Sequence, residues 1–251
     1  MIKYDQHFLT DNLVVQNTIQ YSNISNKDII LEIGCGKGIL TREILKQNPK
    51  QLISIEIDDT LKGELKDLNK YKNFKLIFAN ALFEMQNYKP TKLIANIPYS
   101  STETIYKQII RQKIPFCILL QGSLFYKKIQ NNKSRWSLYI KSLYHIDEIQ
   151  NISGDKFSPP TKTKSSLIKL TIKQNQTKSE QFITNLFFNS NSKVKNAIQK
   201  SLVQTYNLTK KQAKEKYNLL NLDILLEDKK LDIISNNSLI EIVQKLFKKV
   251  I

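Results

Sequence analysis

Four residues, Asn96-Ile97-Pro98-Tyr99, follow directly on the apolar run Lys92-Leu93-Ile94-Ala95. An amide, a rigid proline and an aromatic ring at the tip of a buried strand make a holder for a planar amino group. The side-chain oxygen of Asn96 and the main-chain carbonyl of Ile97 offer acceptors for two N–H groups, and Pro98 fixes the turn. Tyr99 presents a face on which a ring can stack, so such a site acts mainly by positioning. A second constellation lies upstream, where Glu32-Ile33-Gly34-Cys35-Gly36-Lys37-Gly38 places three alternating glycines after an apolar run. Glycine permits a sharp turn and close approach of a ligand, while a helix starting there offers free N–H groups.

The spacing is GxGxG, not the GxGxxG of dinucleotide enzymes. Glu56 closes the next apolar run, where a carboxylate can accept both hydroxyls of a ribose, and Asp58 is a weaker candidate for the same task. Ala79-Asn80-Ala81-Leu82 ends the third run at the height where an adenine amine would be read. Glu32 is placed to hold a cofactor amino group through water. An adenosine without a pyrophosphate satisfies this set, so S-adenosyl-L-methionine fits better than a dinucleotide. Together with Asn96–Tyr99 the residues imply methyl transfer to an exocyclic nitrogen. Such a nitrogen is a poor nucleophile while its lone pair is delocalised into the ring, and two acceptors favour the pyramidal form that aims it at the methyl. The proton becomes acidic once the nitrogen is alkylated, so no general base is needed, and neither His7 nor His145 is assigned as one.

Short apolar runs alternating with helical patterns predict a parallel sheet with crossover helices. Strands are expected at Ile29–Ile33, Gln51–Ile57, Phe74–Ala79, Lys92–Asn96 and Phe116–Leu120. Helices are expected over 38–47 and 60–68, and after Asn96, where Ile105, Tyr106, Ile109 and Ile110 share a face and Ser100 with Glu103 forms a capping box. His145–Ile152 and Ser165–Ile172 read as an antiparallel pair joined by a loop containing Pro159 and Pro160. The polar stretch Lys173-Gln174-Asn175-Gln176 is read as a linker. The fold class is therefore α/β, with residues 1–172 forming a Rossmann-like domain and residues 173–251 a small helical one.

The net charge of +17 points to a polyanionic partner, although only three of the 39 basic residues are arginine (Arg42, Arg111, Arg135). Residues 173–251 carry 14 lysines against 7 acidic residues, so positive charge is spread over both parts. No apolar run approaches the roughly 20 residues of a membrane helix, and the start lacks a signal-peptide core. A cytoplasmic, monomeric protein with no membrane association is expected. Cys35 and Cys117 show no CxxC spacing, so neither a disulfide nor a metal site is expected.

Several separated motifs resemble those of the ribosomal RNA adenine N6-dimethyltransferases, the KsgA and Erm group, over nearly the whole length. Gln6-His7-Phe8-Leu9 resembles the Q-x-F-L segment that folds over the methionine end of the cofactor. Glu32–Gly38 resembles the glycine loop, Glu56-Ile57-Asp58 the ribose-binding acid, and Asn96–Tyr99 the N-[LI]-P-Y turn. Phe157-Ser158-Pro159-Pro160-Thr161-Lys162-Thr163-Lys164-Ser165 resembles the F-x-P-x-P-K-V-x-S loop, whose phenylalanine faces the tyrosine across a flipped-out adenine. Ser192–Ile198 resembles a basic helix start in the second domain. The resemblance thus implies a class I methyltransferase sheet of seven mostly parallel strands. It also implies Gln6, Phe8, Leu9 and Ile57 as cofactor contacts, Phe157 as a partner of Tyr99, and Lys162, Lys164, Lys193 and Lys195 as RNA contacts.

Two departures stand out. Asn80 occupies a position where the family commonly has Asp, which removes a charge-assisted contact and predicts weaker cofactor binding. Thr161 and Thr163 replace a proline and a valine, which predicts a less rigid loop. The function implied is S-adenosylmethionine-dependent dimethylation of two adjacent adenines in a 3′ hairpin of small-subunit rRNA within a precursor, aiding ribosome biogenesis. An Erm-type enzyme of large-subunit rRNA and a non-catalytic RNA-binding assembly factor are the alternatives. An amide methyltransferase with a related N-P-P-Y turn is disfavoured by Ile97, the Phe157 loop and the basic second domain.

Overall fold

The computed structural model describes residues 7–249. The chain begins with β1 (Phe8–Leu9) and α1 (Asn12–Ser22), the helix capped by Asp11, whose carboxylate accepts from the Val14 N–H. There follow β2 (Ile29–Ile33), α2 (Ile39–Lys46), β3 (Gln51–Glu56) and β4 (Phe74–Phe78). Next come α3 (Ala81–Glu84), β5 (Lys92–Asn96), α4 (Thr102–Gln112) and β6 (Phe116–Gly122). After α5 (Ser123–Gln130) and α6 (Arg135–Leu143), the strands β7 (Tyr144–Ile152), β8 (Phe157–Ser158) and β9 (Ser165–Ile172) complete the β structure.

Seven strands form one sheet in the order β4-β3-β2-β5-β6-β9-β7. The pairs β2/β3, β3/β4, β2/β5 and β5/β6 are parallel, and β9 runs antiparallel to β6. The central strands read as continuous apolar runs because both faces are covered, here by helices such as α2 and α4. Leu40, Thr41, Ile44 and Leu45 are the buried residues of α2, and Thr102, Ile105, Tyr106, Ile109 and Ile110 those of α4. The chain runs outward from β2 through β3 to the edge strand β4, then returns to β5 on the other side of β2. That reversal opens a crevice at the carboxyl ends of β2 and β5, the usual place for a ligand in such sheets.

Two local expectations are corrected. Residues 60–68 do not form one helix but two 3₁₀ turns, Asp59–Gly63 and Lys66–Lys70. Gly63 weakens a continuous helix, and Asp58 Oδ1 fixes a tight turn by accepting from the Thr60 N–H (3.1 Å) and hydroxyl (2.6 Å). Burial of Leu61, Leu65 and Leu68 is met by the two turns together. The Ser100–Glu103 capping box is absent, because Tyr99–Ser101 is itself a 3₁₀ turn and α4 begins at Thr102 behind a helical, uncapped Ser101.

The chain divides into two compact units, one of residues up to Tyr126 plus His145–Ile172 and the other of Lys127–Tyr144 plus Lys173–Ile251. A single boundary at residue 172 therefore needs amendment, since Lys127–Tyr144 belongs with the helical unit. The reason lies in α6. Its Tyr139 ring packs edge-on to Phe187 at 5.1 Å, and its Ser142 hydroxyl lies 3.1 Å from that of Thr184. Both partners sit on α7 (Lys178–Phe188), which starts at a Thr177–Glu180 capping box. The remaining helices are α8 (Val194–Tyr206), α9 (Lys210–Asn218), α10 (Ile224–Glu227) and α11 (Asn236–Lys249). Phe182, Leu186, Val194, Ala197, Ile198 and Leu202 form their buried face, in the helical period read from the sequence.

Candidate active site

The carboxyl-end crevice holds two adjoining clefts, both lined by Phe8, Gly34, Gly36 and Asn96. The first, about 270 Å³, is also bounded by Glu56, Ile57, Asn80, Ala81, Ile97, Pro98, Tyr99 and Phe157. The second, about 320 Å³, takes in Leu9, Cys35, Lys37 and Leu40. Residues far apart in sequence and singled out for cofactor and base thus meet at one place.

The glycines are needed where their backbones go left-handed. Gly34 has φ +71°, and a Cβ there would lie 3.3 Å from the Asn96 carbonyl oxygen, so the loop and the Asn96 turn are in close approach. Gly36 has φ +53°, and its Cβ would meet the Phe8 ring at 2.9 Å. The same Gly36 N–H donates to Glu56 Oε2 (2.8 Å). Glu56 Oε1 accepts from the Ile57 N–H (2.8 Å) and the Asp58 N–H (3.0 Å). Three backbone donors lock this carboxylate at the cleft wall and leave it only part of its acceptor capacity. Asp58, by contrast, is occupied in capping its own turn.

Behind the glycine loop stands Arg42. Its Nη1 donates to the Lys37 carbonyl (2.7 Å), its Nη2 to the Glu64 carbonyl (2.8 Å), and its fork grips both oxygens of Asp67. The Asp67 carboxylate, in turn, raises the Arg42 pKa and is held below the usual carboxylate value by it. A lysine could not span these partners.

Glu32 lies deeper than the sequence suggests. Its side chain is buried and bounds neither cleft; Thr41 donates to both of its oxygens (3.1 and 2.9 Å) and Ser54 to one. Contact with a ligand in the crevice requires an intermediary such as water. Burial, aided by the nearby charge of Glu56 and opposed by the two hydroxyls, raises its pKa from 4.5 to about 7. A folded-state pKa above the unfolded one means that the native form retains the proton longer. The associated stability is full below about pH 4.5 and fades as pH rises toward 7, by up to about 3 kcal/mol. Urea unfolding across that window should show wild-type stability falling relative to Glu32→Gln; parallel curves would dismiss the effect.

Asn96 ends β5 with its side chain half-buried at the meeting of the two clefts. Neither its amide nor the Ile97 carbonyl takes a hydrogen bond from another of the described residues, whereas the Ile97 N–H is fixed to the Leu120 carbonyl (2.8 Å). Tyr99 is 41% exposed and its hydroxyl lies 3.0 Å from Ser165 Oγ. Phe157 is only 5% exposed, part of the hydrophobic core as well as of the cleft wall. Asn80 caps α3, its Oδ1 accepting from the Leu82 N–H (2.9 Å), so its acceptor already has a partner and its amide N–H groups remain.

The N-terminal strand ties these parts together. Phe8 pairs with Ser158 and Leu9 with Phe157, the Thr10 N–H donates to the Lys156 carbonyl (3.0 Å), and Lys156 bonds Asp11 (2.8 Å). His7 Nδ1 lies 2.7 Å from the Pro159 carbonyl oxygen. Gln6 falls outside the described residues. Sequence reasoning missed Ser165 and Gly122 as neighbours of Tyr99, and Thr41 and Ser54 as partners of Glu32. A glycine ending an apolar run, as Gly122 does, was the one available signal.

Residues 1–245 match the ribosomal RNA adenine dimethylase family. The chain belongs to that family. It is 34% identical over 216 residues to ribosomal RNA small subunit methyltransferase A of Sulfurihydrogenibium sp. (strain YO3AOP1), covering 79% of this chain and 84% of that protein. It is 30% identical over 256 residues to the probable ribosomal RNA small subunit methyltransferase A of Methanococcus aeolicus, covering 99% and 90%. A dimethyladenosine transferase from Plasmodium falciparum shares the fold, with a TM-score of 0.65 and 22% identity over 97% of this chain and 98% of that one. So does the 23S rRNA methyltransferase ErmE, with a TM-score of 0.63 and 18% identity over 97% and 99%. As a ribosomal RNA adenine dimethylase the chain is an S-adenosylmethionine-dependent enzyme, which sets aside the binding-only alternative. The glycine cradle, the fixed Glu56 carboxylate and the cleft beside Asn96 fit that methyl donor.

Of the four lysines considered for RNA, Lys193 bonds Asp228 (2.8 Å) and Lys195 faces Glu227 (3.9 Å) and the Tyr217 ring. Lys162 and Lys164 form no ion pair among the described residues. Also among the described residues, no helix is long and apolar enough to cross a membrane and no group of His, Cys, Asp and Glu could hold a metal ion.

Proposed function

We propose that this enzyme dimethylates N6 of two adjacent adenines in the 3′ hairpin of small-subunit rRNA, within a precursor particle, and so aids ribosome biogenesis. The observation that carries the reading is the pair of unengaged acceptors, Asn96 Oδ1 and the Ile97 carbonyl, beside a cleft suited to the methyl donor. The relatives named for the small subunit favour that target over the large-subunit one. When bound, S-adenosylmethionine supplies an electrophilic methyl group on a sulfonium.

The chain's own residues do the rest. Gly34 and Gly36 admit the cofactor to the backbone, while Gly38, which lines neither cleft, closes the loop by donating to the Cys35 carbonyl (2.8 Å). Glu56 takes its ribose hydroxyls, and Asn80, Ala81 and Ile57 border its adenine. Phe8 and Leu9, with Gln6, cover the methionine end, and Glu32 acts on it only through water. Tyr99 and Phe157 hold the flipped target base between them. In the first transfer Asn96 Oδ1 and the Ile97 carbonyl accept its two amino hydrogens and turn the nitrogen lone pair toward the methyl, while Pro98 keeps them in register. The alkylated nitrogen gives one proton to water, and in the second transfer its single remaining hydrogen is accepted before it too is lost to water. Lys162, Lys164, Lys193 and Lys195 meet the phosphates, the last two after exchanging their carboxylate partners. The protein acts as a monomer in the cytoplasm.

Labelled methyl transfer to undermethylated small and large subunits, read by mass spectrometry of the digested RNA, tests this. Dimethyladenosine at paired adenines of the small-subunit hairpin is expected. A single modified adenine in the large subunit would replace the reading with an Erm-type one.

A further inference from the structure

Tyr99 stands in a 3₁₀ turn outside the sheet, so its backbone alone does not set the plane of its ring. Two residues on neighbouring strands touch it. Gly122, the last residue of β6, and Ser165, the first of β9, are register partners across the antiparallel ladder. A Cβ at Gly122 would lie 3.0 Å from Tyr99 Cδ1, 3.2 Å from Cε1 and 3.5 Å from Cγ. Gly122 has no left-handed φ, so its own backbone does not call for glycine; the ring packed against it does. At the far end of the ring, the Tyr99 hydroxyl lies 3.0 Å from Oγ of Ser165, a residue that is 1% exposed. The next rung is tied as well, since the Ser123 N–H and hydroxyl both donate to the Lys164 carbonyl at 3.0 Å.

We infer that Gly122 and Ser165 are positioning residues for Tyr99, a cross-strand pair that fixes the plane in which the target base is received. The inference rests on the reading of Tyr99 as the base-stacking residue. Gly122 supplies the absence of a side chain against which one side of the ring lies, and Ser165 anchors the hydroxyl. Ser165 also ends the loop that begins at Phe157, so the two walls of the base site are referred to one strand end. A methyl group at position 122 makes the ring give way by a few tenths of an ångström; loss of the Ser165 hydroxyl lets it swing.

The test combines kinetics with a readout independent of turnover. Methyl transfer to undermethylated small subunits is compared for wild type, S165A, S165T, G122A, Y99F and S165A/Y99F, with cofactor affinity and melting temperature for each. S165A should raise KM for the subunit about 2- to 10-fold, with cofactor affinity and melting temperature unchanged. S165T should restore it, and S165A should add nothing in the Y99F background. G122A should lower kcat/KM about 10- to 100-fold. In protein labelled with 3-fluorotyrosine, the Tyr99 resonance, assigned through Y99F, should move in both S165A and G122A. An unmoved resonance, or an S165A effect of equal size with and without the Tyr99 hydroxyl, overturns the inference. A moved resonance in protein whose wild type transfers no methyl group to small subunits would support the positioning and strike the small-subunit reading instead.

Discussion

Replacing Asn96 by alanine should lower kcat about 100- to 1,000-fold while leaving subunit affinity within about 3-fold. The expected size is that of removing one preorganised hydrogen-bond partner aimed at developing charge. Asn96 is suited to such a role because its amide is half-buried at the junction of the clefts and engaged by no other described residue. An interaction made chiefly in the transition state appears in kcat, whereas uniform binding appears in KM. The Gly34 backbone packs against the Asn96 carbonyl, so the truncation removes a side chain without releasing the strand end. Steady-state kinetics with undermethylated subunits and a filter-binding assay separate the two quantities. Equal losses in both would remove Asn96 from the chemistry and make it a binding residue.

Phe157 carries the second large effect, and here two roles must be separated. The ring is 5% exposed and sits among the core residues, although it also lines the cleft. Phe157→Ala should therefore cost about 3–5 kcal/mol of stability from the lost burial and the cavity left behind. Phe157→Leu keeps most of the volume and should cost less than about 1.5 kcal/mol. Base stacking requires a π face, which leucine lacks. The leucine variant should thus melt near the wild-type temperature but raise KM for the subunit by about 5- to 100-fold, as expected for one base–aromatic stack. A leucine variant with wild-type KM would leave Phe157 as a core anchor only.

Much of the site was legible because its chemistry is concentrated at strand ends. The runs ending at Ile33, Glu56 and Asn96 announce buried parallel strands, and the residues just beyond them are those that reach the crevice. Side-chain commitments within the fold were not legible. Asn80 looks like a free amide in sequence, yet its oxygen caps α3. Glu32 follows the glycine-loop pattern, but Thr41 and Ser54, from two other elements, enclose it. Both contacts depend on how α2 and β3 come to lie against β2, which periodicity does not specify. The fate of residues 127–144 was hidden for a related reason. The apolar positions of α6 form a helical face that would suit either unit, and only the partners on α7 and the Arg135 contacts to Asp232, Ile234 and Asn236 decide which. Residues 60–68 show the limit of spacing arguments: leucines at 61, 65 and 68 satisfy a helix and a pair of turns equally well.

Arg42 holds the glycine loop and Arg135 the end of the helical unit, each through a fork directed at partners inside the fold. With three arginines among 39 basic residues and two of them so engaged, the phosphates of the proposed RNA substrate would be met almost entirely by ammonium groups. Such groups neutralise phosphates as point charges and set little orientation of their own. The grip on RNA then comes mostly from expelled counterions, so it weakens steeply as ionic strength rises and varies little with sequence. On the proposed reading, discrimination falls to the adenines that leave their stacks. The enzyme would then hold nearby RNA loosely and commit only when an adenine enters the cleft, with the salt content of its surroundings setting how long it searches.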